Sequence, residues 1–280
     1  MPKAVMFGEI LFDVFADGEC LGGAPLNCGW YLRQFGIEVQ IVSAIGKDPR
    51  GQKAKELMQD AGISLELVAQ RDEPTGYVTV KLANGEPDFT IHEGVAWDHI
   101  ELSDDRASQA DLLYFGSLAQ RTQANRDTVK RLLGDGAQKR LFDVNFRQHY
   151  YSEEILRDGL EAASLLKCNH EEWEVIKKIT CVEEPAELAE RFEIPAIVIT
   201  MGADGAELHQ GNQSVPAQAK ASKVVDTVGA GDAVAAVLGA ALVKDKDLGK
   251  ALAMAMEVGA FVVSQRGAQA ELPGELTGRC

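Results

Sequence analysis

The chain alternates short apolar runs rich in valine and isoleucine with longer segments of helical period. Repeated βα units have this pattern, and they fold into a mainly parallel sheet covered by helices. We therefore predict an α/β protein, a three-layer α/β/α sandwich around a mainly parallel central sheet. The predicted central strands are Ala4 to Phe7, Val39 to Ala44, Leu112 to Phe115, Leu141 to Val144, Leu165 to Cys168 and Ala196 to Thr200. The predicted helices are Ala24 to Phe35, Gly51 to Asp60, Gln123 to Leu133, Glu153 to Ala163, Glu171 to Ile179, Pro185 to Phe192, Ala230 to Val243 and Asp247 to Ser264.

Two segments interrupt this alternation, roughly residues 10–22 and 74–98. They resemble short antiparallel strands outside the main sheet, and the second contains the turn Asn84-Gly85-Glu86. We expect them to form a small β lid over a ligand crevice at the carboxyl ends of the parallel strands. A hairpin without a binding role, or a dimer contact, is the alternative. Residues 1–280 are predicted to form one domain, since the sequence has no internal repeat and no long linker.

The composition excludes several classes of protein. A formal net charge of −15 argues against a nucleic-acid partner, which requires a basic surface. No apolar run approaches the roughly 20 residues of a membrane span, and Gly8 and Glu9 interrupt the N-terminus before a signal-peptide core. We expect a cytoplasmic protein. The five cysteines include no Cys-x-x-Cys pair, so we expect reduced thiols and no zinc site.

The segment Asp226 to Asp232, Asp-Thr-Val-Gly-Ala-Gly-Asp, comes directly before the alanine-rich run Ala233 to Val243. Gly229 and Gly231 let the backbone curl without a Cβ penalty, and the first amides of the following helix have no intrahelical partner. These amides and the positive end of the helix dipole favour bound negative charge. Asp232 would repel a bound phosphate, so its natural role is a base that accepts a proton from an attacking hydroxyl. An ordinary strand-to-helix turn is the alternative.

A second glycine turn, Gly22-Gly23, leads into the predicted helix that carries Asn27. Adjacent glycines let the backbone approach a ligand closely, and the Asn27 carboxamide offers a donor and an acceptor, which suits a sugar hydroxyl. Upstream, Glu9 and Asp13 follow the first strand, where a carboxylate can accept from two neighbouring hydroxyls. The alternative role for Asp13 is a turn cap.

Four further motifs stand in order with these two glycine turns. They are Gly8-Glu9-Ile10-Leu11-Phe12-Asp13, Asn169-His170-Glu171-Glu172, Thr200-Met201-Gly202-Ala203-Asp204-Gly205 and Arg266-Gly267-Ala268. In order and approximate spacing the whole set resembles the ribokinase-like, phosphofructokinase-B-type carbohydrate kinases, and the resemblance extends through nearly the whole chain. The tail after Pro273 is brief for that family, so we expect the closing C-terminal helix to be absent or truncated.

The resemblance implies an ATP-dependent sugar kinase, with Asp232 as general base and the amides of Gly229, Ala230 and Gly231 as an anion hole. The substrate site it implies consists of Asp13, Gly22, Gly23, Asn27, Arg147 and Asp232. The ATP site it implies consists of Asn169, Thr200, Gly202, Gly205, Gly229, Gly231, Gly267 and Ala268. By the same resemblance Asn169 and Glu172 position Mg²⁺ through water, and Asp226 and Val228 border a monovalent cation such as K⁺. The alternatives are a structural salt bridge for Arg147 and a solvated helix charge for Glu172.

Three further motifs resemble those of fructokinases, which makes fructose the favoured acceptor. They are Asp143-Val144-Asn145-Phe146-Arg147, Val95-Ala96-Trp97-Asp98 and Gly116-Ser117-Leu118-Ala119-Gln120-Arg121. The first is also similar to that of 2-keto-3-deoxygluconate kinases, so this acceptor and ribose stay open. A sugar- or nucleotide-sensing protein on the same fold is the alternative of another class. A dinucleotide oxidoreductase is disfavoured, because no Gly-x-Gly-x-x-Gly follows the first strand. The expected partners are the sugar, ATP and, through the lid, a second copy of the chain.

Overall fold

The computed structural model describes residues 1–83, 86–102, 110–134, 136–220 and 222–279, without the side chains of 81–88. The strands are β1 Lys3–Phe7, β2 Leu11–Phe15, β3 Gly18–Gly22, β4 Glu38–Gly46, β5 Val68–Arg71, β6 Gly76–Ala83, β7 Glu86–Ile91, β8 Leu112–Gly116, β9 Lys139–Asp143, β10 Leu165–Asn169, β11 Ala196–Thr200, β12 Ala206–Gln210 and β13 Gln213–Ala217. The helices are α1 Ala24–Gln34, α2 Pro49–Asp60, α3 Gln123–Gly134, α4 Glu153–Ala162, α5 His170–Thr180, α6 Pro185–Arg191, α7 Ala230–Val243, α8 Leu248–Val262 and α9 Gly274–Thr277.

Nine of these strands form the main sheet, in the order β13-β12-β11-β10-β9-β8-β1-β4-β5. The pairings from β11 across to β5 are parallel, and β12 and β13 extend the sheet as an antiparallel hairpin. The fold class predicted from the sequence is therefore confirmed. Every predicted strand and helix is present, with ends that differ by at most two residues. The sequence patterns did not predict β5, β12 or β13.

Helices cover both faces of the main sheet, which explains why its central strands are apolar throughout. In β1, Ala4 and Met6 pack into one buried cluster and Val5 and Phe7 into the other. Helices α1, α2, α7 and α8 supply the first cluster, and α3, α4, α5 and α6 supply the second. A strand buried on both faces has no polar side to expose, so its sequence lacks the alternation of a half-buried strand.

The remaining strands form a separate four-stranded sheet of order β3-β2-β6-β7, named the small sheet below. Its two hairpins are antiparallel, as predicted, but β2 and β6 pair in parallel, from Leu11 with Gly76 to Val14 with Thr79. The prediction of antiparallel strands was therefore wrong for this central pair, which joins residues 65 positions apart in the sequence. The predicted turn residues Asn84 and Gly85 lie outside the described residues.

The last helix within the described residues, α9, has four residues. Within the described ranges, no helix is both long and apolar enough to cross a bilayer.

Candidate active site

The turn before α7 is fixed by close packing as well as by hydrogen bonds. Gly229 is the N-cap of α7 with φ of 81°, in the left-handed region. A Cβ at Gly229 would lie 2.7 Å from both Cα and O of Ala268, so no side chain fits there. The amide of Ala230 makes a long 3.4 Å bond to the carbonyl of Thr227. The next amides of the first turn have no acceptor within the helix and are the donors available to an anion.

Asp232 lies in the first turn of α7, as predicted, and its carboxylate accepts a hydrogen bond from Asn27. The Asn27 Nδ2 donates to Oδ2 of Asp232 over 2.8 Å. The pKa of Asp232 is raised to about 6, first by burial and then by the charge of Asp143, while the Asn27 bond and the charges of Lys167 and Arg147 oppose this rise. A carboxyl group with that pKa is ionised at neutral pH and basic enough to accept a proton during a reaction.

A buried cluster of polar side chains lies behind Asp232. Lys167 Nζ donates to Oδ1 of Asp143 over 2.8 Å, and the Tyr114 hydroxyl donates to Oδ2 over 3.0 Å. Burial lowers the pKa of Lys167, but the charges of Asp143, Glu172 and Asp232 outweigh this effect and raise the pKa. The ammonium group therefore stays charged, and a Cβ placed on Gly231 would lie only 3.6 Å from its Nζ.

Sequence reasoning missed Lys167 as a neighbour of the candidate site. The available signal was a lysine inside the apolar run Leu165 to Cys168, which becomes β10. A lysine at such a position is tolerated only with a buried partner. That partner is Asp143, at the end of the adjacent strand β9.

Asp13 and the glycine turn lie on the sugar side of the predicted site. A Cβ on Gly22 would lie 3.2 Å from Oδ2 of Asp13, so the glycine leaves room for that carboxylate. Burial raises the pKa of Asp13 to about 6, with Arg147 lowering it and Asp226 raising it. Gly23 is the N-cap of α1 with φ of 113°. A Cβ at this position would lie 2.3 Å from the carbonyl oxygen of Glu9, so only glycine fits there. Protein packing thus requires the glycine at position 23, whatever ligand it approaches.

Arg147 lies in the loop after β9 with its side chain exposed. Its Nη1 donates to the carbonyl of Phe146, and among the described residues no carboxylate oxygen lies within 4.0 Å of its guanidinium. The alternative of a structural salt bridge is therefore not supported. Gln148 in the same loop donates to the carbonyl of Phe89 in the small sheet over 2.6 Å. This contact joins the Arg147 loop to the small sheet.

A cavity of about 580 Å³ lies beside the first turn of α7. It brings together Thr200, Gly202, Gly205 and Gly231 of the predicted ATP residues. Its other lining residues are mostly small or apolar: Ala203, Ala219, Lys220, Ser222, Val224, Thr227, Ala230, Val234, Met256, Gly259, Ala260 and Val263. The remaining predicted ATP residues, Asn169, Gly229, Gly267 and Ala268, do not line it. Its apolar wall and nearby helix amides suit a ligand with a flat ring and an anionic end.

Asn169 and Glu172 form a capping box at the start of α5. Oδ1 of Asn169 accepts from the Glu172 amide, and Oε2 of Glu172 accepts from the Asn169 amide, both over 2.8 Å. Oε1 of Glu172 accepts from the amide of Phe146 over 2.9 Å. Glu172 is only 6% exposed, so the alternative of a solvated helix charge is wrong. Each carboxylate oxygen keeps a second lone pair, which fits a hydrated Mg²⁺ but leaves no dedicated protein cage.

Asp226 joins its own turn to the C-terminal loop. Oδ1 accepts from the Val228 amide and Oδ2 from the Gly267 amide, each over 3.0 Å. The carboxylate is half-buried, and these bonds leave it two lone pairs. Oxygen donors of this kind fit a monovalent cation. Among the described residues, no group of three or more His, Cys, Asp or Glu could hold a metal ion.

All the residues of the candidate site lie within a segment that matches one protein-family model. The family model for pfkB family carbohydrate kinases matches residues 7–274. The chain belongs to the pfkB family of carbohydrate kinases. It is thus a sugar kinase, and the pfkB match includes all the predicted site residues.

Curated pfkB-type relatives are distant but match over nearly their full length. A fructokinase of Escherichia coli is 25% identical over 97% of this chain and 96% of its own. The ATP-dependent 6-phosphofructokinase of Thermoanaerobacterium thermosaccharolyticum is 27% identical over 95% of this chain and 89% of its own. These two relatives are named for different acceptors, so the family match leaves the acceptor of this chain open.

Among solved structures, the fructokinase of Xylella fastidiosa with bound ATP has a TM-score of 0.88 at 21% identity, covering 99% of this chain and 97% of its own. An uncharacterized sugar kinase of Pyrococcus horikoshii has a TM-score of 0.85 at 24% identity, and the match covers 95% of this chain and 93% of its own. These likenesses confirm the fold.

Proposed function

We propose that this pfkB kinase transfers the γ-phosphate of ATP to a primary hydroxyl of a small sugar, with fructose as the favoured acceptor. The observation that carries the proposal is the position of Asp232. Its carboxylate, with a pKa of about 6, lies in the first turn of α7, beside amides that have no acceptor within the helix. The proposed base and the proposed anion site therefore lie within one helical turn.

In this mechanism Asp232 accepts the proton of the attacking hydroxyl as the oxygen–phosphorus bond forms and ADP leaves. The amides of Gly229, Ala230 and Gly231 donate to the oxygens of the transferred group. The buried ammonium of Lys167 adds positive charge beneath the same turn. Such donors cost little reorganisation, because the helix and the packing against Ala268 fix them in advance.

Bound Mg²⁺ would neutralise phosphate charge, and Asn169 and Glu172 would hold it through water. The lone pairs left free at the capping box support this assignment. A monovalent cation such as K⁺ would lie beside Asp226 and Val228, next to the loop of Gly267 and Ala268. Thr200, Gly202, Gly205 and the cavity around them would take the nucleotide.

On the sugar side, Asp13, Gly22, Gly23, Asn27 and Arg147 would bind the acceptor. The small sheet, residues 10–22 and 74–98, would close over it as a lid, within one kinase domain that spans residues 1–280. A closed lid excludes water, which otherwise competes as acceptor. A second copy of the chain would dock against the lid.

The fructokinase-like motifs support fructose, and the relatives include a fructokinase of Escherichia coli. One observation favours a second acceptor, 2-keto-3-deoxygluconate. Arg147 is exposed and, within the described residues, lies beyond 4.0 Å of any carboxylate oxygen. A guanidinium without a carboxylate partner can bind the carboxylate of a sugar acid in a bidentate manner. Ribose stays a weaker candidate.

The test is a coupled assay of ADP release from MgATP over a panel of fructose, 2-keto-3-deoxygluconate, ribose and nucleosides. We expect turnover with fructose and at least a ~100-fold lower kcat in Asp232→Asn, with ATP affinity unchanged, because a general base contributes about 10²- to 10⁴-fold. Near-normal turnover of that variant would reject Asp232 as the base. Sugar binding by calorimetry without ADP release from any acceptor would favour a sensing protein instead.

A further inference from the structure

Gln269 contacts the proposed sugar site, although no motif of the sequence assigns it a role. Its Nε2 donates to Oδ1 of Asn27 over 3.0 Å. Asn27 in turn donates from Nδ2 to Oδ2 of Asp232 over 2.8 Å. Three side chains thus form one line of hydrogen bonds from the C-terminal loop to the proposed base.

The direction of donation along this line is fixed by chemistry. An ionised carboxylate only accepts hydrogen bonds, so Asn27 must turn its NH₂ group toward Asp232. Its carbonyl oxygen then faces position 269 and requires a donor there, because Asn27 is only 4% exposed and water cannot substitute freely. Glutamine supplies this donor, whereas glutamate and leucine do not.

The backbone on both sides of Gln269 is anchored to α1, the helix that carries Asn27. The Tyr31 hydroxyl donates to the carbonyl of Ala268 over 2.7 Å and accepts from the Ala270 amide over 3.2 Å. Gln34 Nε2 donates to the carbonyl of Ala270 over 3.1 Å. These bonds hold the loop without the Gln269 side chain, so substitutions at position 269 should leave the loop in place.

We propose that Gln269 is a positioning residue for phosphoryl transfer, which fixes the orientation of the Asn27 amide and through it the carboxylate of Asp232. The proposal rests on the proposed function, since it assigns Asp232 as the base. One N–H and one lone pair of Asn27 remain for the acceptor.

The test compares Gln269→Leu and Gln269→Glu with Gln265→Glu, a matched charge change in the same part of the chain. Gln265 donates to the neighbouring Ser264 and makes no contact with Asn27 or Asp232. With MgATP and the sugar that gives the highest wild-type turnover, we measure kcat, both KM values and the pH profile of kcat/KM. Thermal unfolding is recorded for each variant.

For Gln269→Leu we expect kcat about fivefold to tenfold lower, as for the loss of one hydrogen bond, and for Gln269→Glu a larger loss. The KM for ATP should stay within about twofold of wild type. The acid limb of the profile should move to higher pH in both variants, because Asp232 loses a donor that favours its ionised form. The other charged groups that face Asp232, namely Glu9, Asp143, Arg147 and Lys167, are unchanged in these variants. Gln265→Glu should behave as wild type.

Unchanged kcat and pH profile in both 269 variants would overturn the proposal. Losses of activity that follow losses of thermal stability, without a shift of the acid limb, would also overturn it and leave Gln269 a structural residue. Wild-type turnover is measured first, so failure of the proposed function would appear as an inactive wild-type enzyme. If the wild-type enzyme is active and both Gln269 variants have its kcat and pH profile, only the role of Gln269 is rejected.

Discussion

At the scale of single residues, the candidate site depends on carboxyl groups whose environments differ. Burial is the main cause that raises the pKa values of Asp13 and Asp232 to about 6. Asp143, by contrast, accepts hydrogen bonds from Lys167 and Tyr114. The sequence suggested the first two as functional residues. Asp143 belongs to the fructokinase-like motif, which gave it no role of its own, although its charge is the second largest cause of the raised pKa of Asp232.

Asp143→Asn tests this electrostatic link. Asp232 must be ionised to accept a proton, so wild-type kcat/KM should fall as pH drops below about 6. Removing the negative charge of Asp143 lowers the pKa of Asp232, so the acid limb should move to lower pH. The change also leaves the buried Lys167 without its partner, which should cost about 3–5 kcal/mol in urea unfolding.

Tyr114→Phe is the matched control for Asp143→Asn, since it removes one hydroxyl bond to the same carboxylate and keeps the charge. In Tyr114→Phe we expect the acid limb of the kcat/KM profile to stay in place and the unfolding free energy to fall by about 1 kcal/mol. If the acid limb also stays in place in Asp143→Asn, the charge of Asp143 does not influence the pKa of Asp232.

At the scale of elements, strong periodic patterns predicted the helices and the six central strands, because both are fixed by burial. The missed hairpin β12–β13 has polar and exposed residues, with Pro216 in its edge strand. Its pairing depends on β11 beside it, which no local pattern shows. The parallel contact of β2 with β6 was missed for the same reason, since it joins two hairpins that each satisfy the antiparallel pattern alone.

The small sheet is tied to the main sheet through Asp48, the N-cap of α2. Oδ1 of Asp48 accepts from the Gly51 amide and the Thr75 hydroxyl, and Oδ2 accepts from the Thr75 amide, each over 2.7 Å. Thr75 Oγ1 also accepts from the Gly46 amide over 2.9 Å. One aspartate thus links the end of β4, the start of α2 and the start of β6.

Asp48→Ala should destabilise the fold and loosen the small sheet together. We expect a loss of about 1–2 kcal/mol in urea unfolding, typical of an N-cap, and a severalfold higher KM for the sugar with little change in the KM for ATP. Asp72→Ala, which removes an exposed partner of Lys47 nearby, should change neither. Loss of stability in Asp48→Ala with an unchanged sugar KM would argue against the small sheet as a lid.

At the scale of the whole molecule, the candidate site joins residues from both ends of the chain. Glu9 follows the first strand and Gln269 lies near the C-terminus, and α1 contacts both of their loops. The motifs predicted which residues are candidates, but not the strand order that brings them together. Nor did they predict Lys167 or Gln269, because each is defined by a partner distant in sequence. The catalytic and binding roles of the motif residues stay predictions.

The stability of the whole chain should depend on pH through Glu9. This side chain is 4% exposed, and its Oε1 accepts from the Ala24 amide over 3.1 Å. Burial raises its pKa from 4.5 to about 7, with backbone hydrogen bonds and Arg147 opposing and Asp232 assisting the rise. Between those pH values the folded state binds more protons at Glu9 than the unfolded state does. The contribution of Glu9 to the unfolding free energy should therefore fall as pH rises from about 4.5 to 7.

Glu9→Gln removes this dependence while keeping an oxygen that can accept from Ala24. Its unfolding free energy, measured in urea from pH 5 to pH 8, should decline less with pH than that of wild type, with a gain of about 1–3 kcal/mol at pH 8. Glu161→Gln, at an exposed glutamate of α4, is the matched control and should follow the wild-type curve. Parallel curves for Glu9→Gln and wild type would mean that Glu9 titrates alike in the folded and unfolded chain. The burial of an ionisable carboxyl beside the glycine turn would then carry no cost at neutral pH.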